Sequence, residues 1–129
     1  MSFIKSAHHI ALICSDYQRS KHFYTEILGF TILQEVYHAE RDSFKLDLAL
    51  NGNYLVELFS FPHPPQRLSR PEAAGLRHIA FTVDNIDSAV EMLTAHNILT
   101  EPIRIDEYTN KRFTFFRDPD DLPIEIYEA

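Results

Sequence analysis

Apolar residues run along this chain in short bursts, some alternating and some helically spaced, and the same order of bursts occurs twice. Residues 8–14, His-His-Ile-Ala-Leu-Ile-Cys, are a β-rich apolar run that predicts a strand, and Ser15-Asp16 after it has the chemistry of a helix N-cap. Over 17–28, Phe23, Ile27 and Leu28 form a helical stripe, with Arg19, Lys21 and Glu26 among the polar positions. Gly29 then supplies a left-handed stop. Residues 30–38 and 44–50 predict two further strands, and Asn51-Gly52 is a hairpin signal leading into 53–61. Pro62, Pro64, Pro65 and Pro71, with Ser69 and two arginines, predict a stiff extended connector over 62–74.

The order then repeats. Residues 77–83 predict a strand, Asp84-Asn85 a cap, and Ala89, Val90 and Leu93 a shorter helix ending near His96-Asn97. Residues 98–105 and 111–117 read as strands, 118–121 as a turn and 122–128 as the last strand. A shift of 69 lays His9-Ile10-Ala11-Leu12 on His78-Ile79-Ala80-Phe81 and Asp16 on Asn85. A shift of 68 lays Val56-Glu57-Leu58 on Ile124-Glu125-Ile126. The expectation is an α+β fold of tandem βαβββ modules. Module one spans about 7–61 and module two about 75–128 of a single domain over 1–129, with a pseudo-twofold axis and curved mixed sheets forming a metal-binding cavity.

The repeat singles out four residues. His9 is followed 48 residues later by Glu57, and His78 is followed 47 residues later by Glu125. Two imidazoles and two carboxylates in matched register make a donor set suited to a divalent ion. Strand parity would place His9 and His78 with small neighbours, Ala11 and Ala80, on one face, away from the helix side. Glu57 and Glu125 would likewise oppose Val56, Leu58, Ile124 and Ile126. His8 competes with His9, but it aligns with Arg77 and by parity faces the helix, so it is set aside. Cys14 also points to the helix side and reads as a buried, inert thiol. His22, His38, His63 and His96 have no repeat counterpart and read as surface residues, with His38 and His63 only marginal candidates for substrate contact.

Composition narrows the partners. A net charge of −7 and a pI near 5.4, with no basic run, argue against nucleic acid. The one cysteine excludes an intrachain disulfide and fits a reducing compartment. No signal-peptide layout and no stretch near the ~18 apolar residues of a spanning helix is present. A cytoplasmic protein acting on a small molecule, with no membrane partner, is the expectation.

The chain resembles the vicinal oxygen chelate superfamily and, within it, the glyoxalase I-like (lactoylglutathione lyase-like) proteins, over roughly 8–128. The resemblance rests on His9-Ile10-Ala11-Leu12, Asp16 to Ser20, Phe23-Tyr24 with Leu28-Gly29-Phe30, Val56-Glu57-Leu58, His78 to Asp84, and Asp118-Pro119-Asp120 with Glu125. It implies one divalent metal ion (Ni, Zn, Co or Mn) held by His9, Glu57, His78 and Glu125, and a homodimer. It further implies a substrate chelated through vicinal oxygens, with Glu125 as both ligand and base in proton abstraction, and an enediolate stabilised by the metal. Asp120-Asp121-Leu122-Pro123, where the lyases continue with glycine, and the polar loop 107–112 depart from the glutathione-using members. On the same scaffold, a thiol transferase or an extradiol-type dioxygenase needs three protein ligands, so a fourth, Glu57, counts against both. A non-catalytic binding or resistance protein would typically lack the ligands altogether.

Overall fold

A computed structural model describes residues 1–129. The chain forms two compact units, Met1–Pro65 and Gln66–Ala129. The first contains β1 (Ile10–Cys14), α1 (Tyr17–His22), β2 (Thr31–His38), β3 (Ser43–Leu50) and β4 (Asn53–Ser60). The second contains β5 (Ile79–Val83), α2 (Ile86–Ala95), β6 (Arg104–Ile105), β7 (Arg112–Arg117) and β8 (Pro123–Glu128). Each unit holds one four-stranded sheet, in the order β1-β4-β3-β2 and β5-β8-β7-β6. In each, the first strand runs parallel to the last and the other pairings are antiparallel. The tandem βαβββ arrangement expected from the repeat is therefore present, and the fold is α+β.

The register makes the duplication concrete. Ala11 pairs with Glu57 and Ala80 with Glu125, while Asp47 pairs with Glu57 and Phe115 with Glu125. The greasy faces behave as alternation demands. Leu46, Leu48 and Val56 are fully buried in the first unit, as are Ile86 and Ile124 in the second. Asp16 caps α1 by accepting from Arg19 N (3.1 Å), and Asn85 caps α2 by accepting from Ser88 N (3.0 Å).

The first helix departs from the expected single run over 17–28. It is α-helical only to His22, then widens into a π-helical turn over Phe23–Ile27, with Leu28 N donating to Phe23 O at 3.0 Å. The Thr25 hydroxyl donates to the Lys21 carbonyl (2.6 Å), competing with the backbone ladder where it widens. The buried stripe consequently falls on Tyr17, Ser20, Phe23 and Tyr24, and Ile27 and Leu28 are only half-buried. Gly29, at φ 79, ends the helix as expected. The strand expected over 98–105 also shrinks, to Arg104–Ile105. Pro102 lacks the N–H a ladder needs. The preceding segment is tied instead by Glu101 N to Phe115 O (2.9 Å) and by the Thr114 hydroxyl to Glu101 O (2.7 Å).

Part of the proline-rich connector packs within the second unit. Arg67 donates to the Leu76 and Arg77 carbonyls at 2.5 and 2.9 Å, and Arg70 pairs with Asp121 at 2.9 Å. No helix is long and apolar enough to cross a membrane.

Candidate functional site

Both His-Glu pairs form, each within its own unit. His9 Nε2 lies 3.7 Å from Glu57 Oε1, and His78 Nε2 lies 3.3 Å from Glu125 Oε1. Both carboxylates are largely covered, with side chains 14% and 16% exposed, while the histidines remain 33% and 26% exposed. Covered acceptors beside reachable imidazoles give each unit one pair of donor groups. No third His, Cys, Asp or Glu joins either pair in a group able to hold an ion.

The gaps can be tested against a metal. Two ligand atoms ~2.1 Å from one ion lie about 3.0 Å apart at 90° and about 3.6 Å apart at 120°. The 3.3 Å separation falls inside that window and the 3.7 Å separation lies just beyond it, within a small side-chain adjustment of neighbouring coordination positions. In both units Nε2 faces the carboxylate while Nδ1 is approached by the residue that precedes the histidine. His8 Nδ1 lies 2.7 Å from His9 Nδ1, and Arg77 Nη1 lies 3.0 Å from His78 Nδ1. The donor set and its spacing fit a divalent ion.

The approach of His8 to His9 corrects the expectation for His8. Its ring does not turn to the helix side. It meets the edges of His9 and Tyr54, with centroids 5.0 and 5.3 Å away. The physical reason is that β1 starts at Ile10 and β5 at Ile79, so both histidines precede their strands and strict alternation does not govern the residues beside them. Arg77, aligned with His8, touches the next histidine in the same way. Cys14 is buried as expected, and His22, His38, His63 and His96 are exposed.

The two pairs differ in what surrounds them. Beside His9 and Glu57 stand Tyr54, Asp47 and Lys45. The Tyr54 hydroxyl lies 3.1 Å from Glu57 Oε2 and 3.2 Å from Asp47 Oδ1. Lys45 Nζ reaches both Asp47 oxygens (2.8 and 2.9 Å) and lies 3.5 Å from Glu57 Oε2. Burial, then the bond to Glu57, pushes the Tyr54 phenol far above its ordinary value, so it stays a neutral donor. The Lys45 ammonium is held above its ordinary value, chiefly by its hydrogen bond to Asp47. In the second unit the positions matching Lys45 and Asp47 are Phe113 and Phe115. Phe115 stands edge-on to His78 at 5.1 Å, and the Arg104 guanidinium lies over both phenylalanine rings at 5.1 and 5.6 Å. Glu125 has His78 as its partner.

Tyr54, Lys45 and Asp47 carry no repeat signature, and sequence reasoning passed over them. A break in register puts Tyr54 there. Leu48 pairs with Val56 but Ala49 with Tyr54, so Leu55 is skipped and the parity of β4 changes. The one available signal was Asn51-Gly52, whose φ values of 49 and 85 make a tight hairpin turn just before Tyr54.

The profile of the Glyoxalase/Bleomycin resistance protein/Dioxygenase superfamily matches residues 6–126. The chain is 64% identical over 125 residues to the uncharacterized protein YwkD of Bacillus subtilis (strain 168), covering 97% of this chain and 98% of that one. It is also 64% identical over 125 residues to the uncharacterized protein YaeR of Escherichia coli (strain K12), covering 97% of each. Its structure is similar to that of a glyoxalase family protein from Enterococcus faecalis, with a TM-score of 0.90, 46% identity, and coverage of 98% and 100% of the two chains. With its two matched His-Glu pairs on tandem βαβββ units, the chain belongs to the glyoxalase/bleomycin resistance/dioxygenase superfamily.

Proposed function

We propose that the protein is a divalent-metal-dependent, glyoxalase I-like lyase or isomerase acting on a small substrate that presents vicinal oxygens. In this reading His9, Glu57, His78 and Glu125 together hold one ion, the half-sites meeting within a chain or between the two copies of a homodimer. The ion, when bound, supplies Lewis-acid stabilisation of the negative charge that develops on the substrate oxygens.

The observation that carries the reading is the unequal tethering of the two carboxylates. Glu57 is approached by Tyr54, Lys45 and His9, whereas Glu125 faces His78 alone. A carboxylate held from several sides serves as a fixed ligand. One with a single partner is free to swing, take the proton from the carbon beside the substrate carbonyl and return it to the neighbouring carbon. Glu125 is therefore the base, with Phe115 beside it on β7 restricting water around the proton in transit.

The test begins with metal analysis of protein purified without added metal. A screen of hemithioacetals and other α-hydroxy-carbonyls for turnover then follows. One bound ion per His9–Glu57 plus His78–Glu125 set, lost on replacing any of the four by alanine, is the expected result. Metal content that is negligible, or indifferent to these replacements, overturns the reading.

A further inference from the structure

The geometry assigns Tyr54 as the positioning residue of the His9–Glu57 half-site, one side chain that fixes both donors at once. This rests on the reading of His9 and Glu57 as ligands. The phenol ring is stacked on the His9 imidazole, with centroids 5.1 Å apart and planes 12° from parallel. The hydroxyl lies against Glu57 at 3.1 Å. A phenol carries one proton and has two carboxylates in reach. Lys45 already engages both Asp47 oxygens at 2.8 and 2.9 Å, which leaves the Tyr54 proton to Glu57.

Which oxygen receives it matters. Tyr54 and Lys45 both approach Glu57 Oε2, while His9 Nε2 faces Oε1. Occupying Oε2 prevents the carboxylate from rotating and presents Oε1 beside the imidazole nitrogen. The stacked ring meanwhile restrains rotation of His9. Outer-shell groups that orient ligands in this way contribute strongly to metal affinity.

The second unit has no such device. The repeat position matching Tyr54 is Leu122, which is buried in the core, and the ring beside His78 is Phe115, met edge-on and without a hydroxyl to reach Glu125. The first half-site thus has one side chain that ties both donors together, and the second does not.

The test is cobalt(II) titration of the full chain, read by calorimetry and by the visible ligand-field spectrum, together with thermal unfolding of each variant without metal. Tyr54→Phe keeps the stack and removes the hydrogen bond, and should weaken Co²⁺ binding about 10-fold. Its spectrum should change shape, because Glu57 is free to turn. Tyr54→Leu removes both the stack and the bond and should weaken binding about 100-fold. Tyr37→Phe is the control, since its hydroxyl also meets a carboxylate (Asp42, 2.7 Å) on a side chain packed against Phe44 instead. It should leave affinity and spectrum unchanged. If the native chain binds Co²⁺ and Tyr54→Phe matches it in both readouts, the assignment of Tyr54 fails and the ligand reading stands. If the native chain binds no Co²⁺, both fall together.

Discussion

Replacing Glu125 by glutamine separates proton transfer from folding. Glutamine keeps the volume and one acceptor oxygen, so the substitution removes only the charged component of a single interaction, His78 Nε2 to Glu125 Oε1 at 3.3 Å. Such an isolated, partly solvated pair contributes about 0–1 kcal/mol, and Glu125→Gln should fall within that range. The matched replacement, Glu57→Gln, removes more. The Tyr54 bond drops from a charged acceptor to a neutral one, a difference of about 1 kcal/mol. The Lys45 ion pair at 3.5 Å adds about 0.2–1 kcal/mol. Glu57→Gln should therefore cost about 1–2 kcal/mol in urea unfolding, visibly more than Glu125→Gln. Activity should reverse the emphasis at position 125. Loss of a base lowers turnover about 10²–10⁴-fold, or about 3–5 kcal/mol of barrier. The activity assay starts with the hemithioacetal of methylglyoxal and glutathione and extends to other α-hydroxy-carbonyls. Wild-type turnover in Glu125→Gln would show that Glu125 is not the base and make Glu57 the candidate. A stability loss equal to that of Glu57→Gln would refute the unequal tethering itself, and that measurement needs no substrate.

Leu48→Ala, at a fully buried position of β3, should destabilise the chain by about 2–5 kcal/mol, measured as a lower urea midpoint at constant slope. At Gly29 an added Cβ would meet no neighbouring atom, so Gly29→Ala should cost only the backbone strain of φ 79, about 1–2 kcal/mol by thermal or urea unfolding. Glu35 has its carboxyl held below the ordinary 4.5 by hydrogen bonds, from Lys21 first and then Tyr17. A depressed folded value means stability that is present above 4.5 and lost as pH falls below it, so Glu35→Gln should flatten the acid limb of a stability–pH profile. Light scattering at micromolar concentration should give twice the 15.0 kDa chain mass, and a monomer mass would remove the dimer from the proposal.

Periodicity made most of the architecture readable in advance, because each βαβββ unit buries one face and its alternation is therefore strict. Val56, Leu58, Ile124 and Ile126 oppose Glu57 and Glu125 as their spacing implies, and the two His-Glu pairs assemble on the matching strands. What escaped lies where alternation lapses. His8 and Arg77 sit ahead of their strands, so parity arguments misplaced His8 and said nothing of how either residue meets the adjacent ring. Tyr54 depends on one skipped residue in β4, and no pattern of hydrophobicity encodes a skip. The π-helical turn is accompanied by the Thr25 hydroxyl's bond to the Lys21 carbonyl, a local contact that hydrophobic periodicity does not report.

The register of β3 and β7 divides labour in a way that can be used. Asp47 and Phe115 face the two carboxylates from neighbouring strands, yet they are chemically unrelated. The side chains flanking them in sequence, Leu46 and Leu48 in one unit and Thr114 and Phe116 in the other, point into the buried layers. Positions 113 and 115 can therefore be randomised together, insulated by the pleat from the layers that keep the protein folded, whereas Lys45 and Asp47 stay fixed because they engage Glu57 and Tyr54. A library confined to those two sites should yield mostly folded clones in which Glu57 keeps its partners. Selection among them would act on what the protein accepts, with little loss to misfolding.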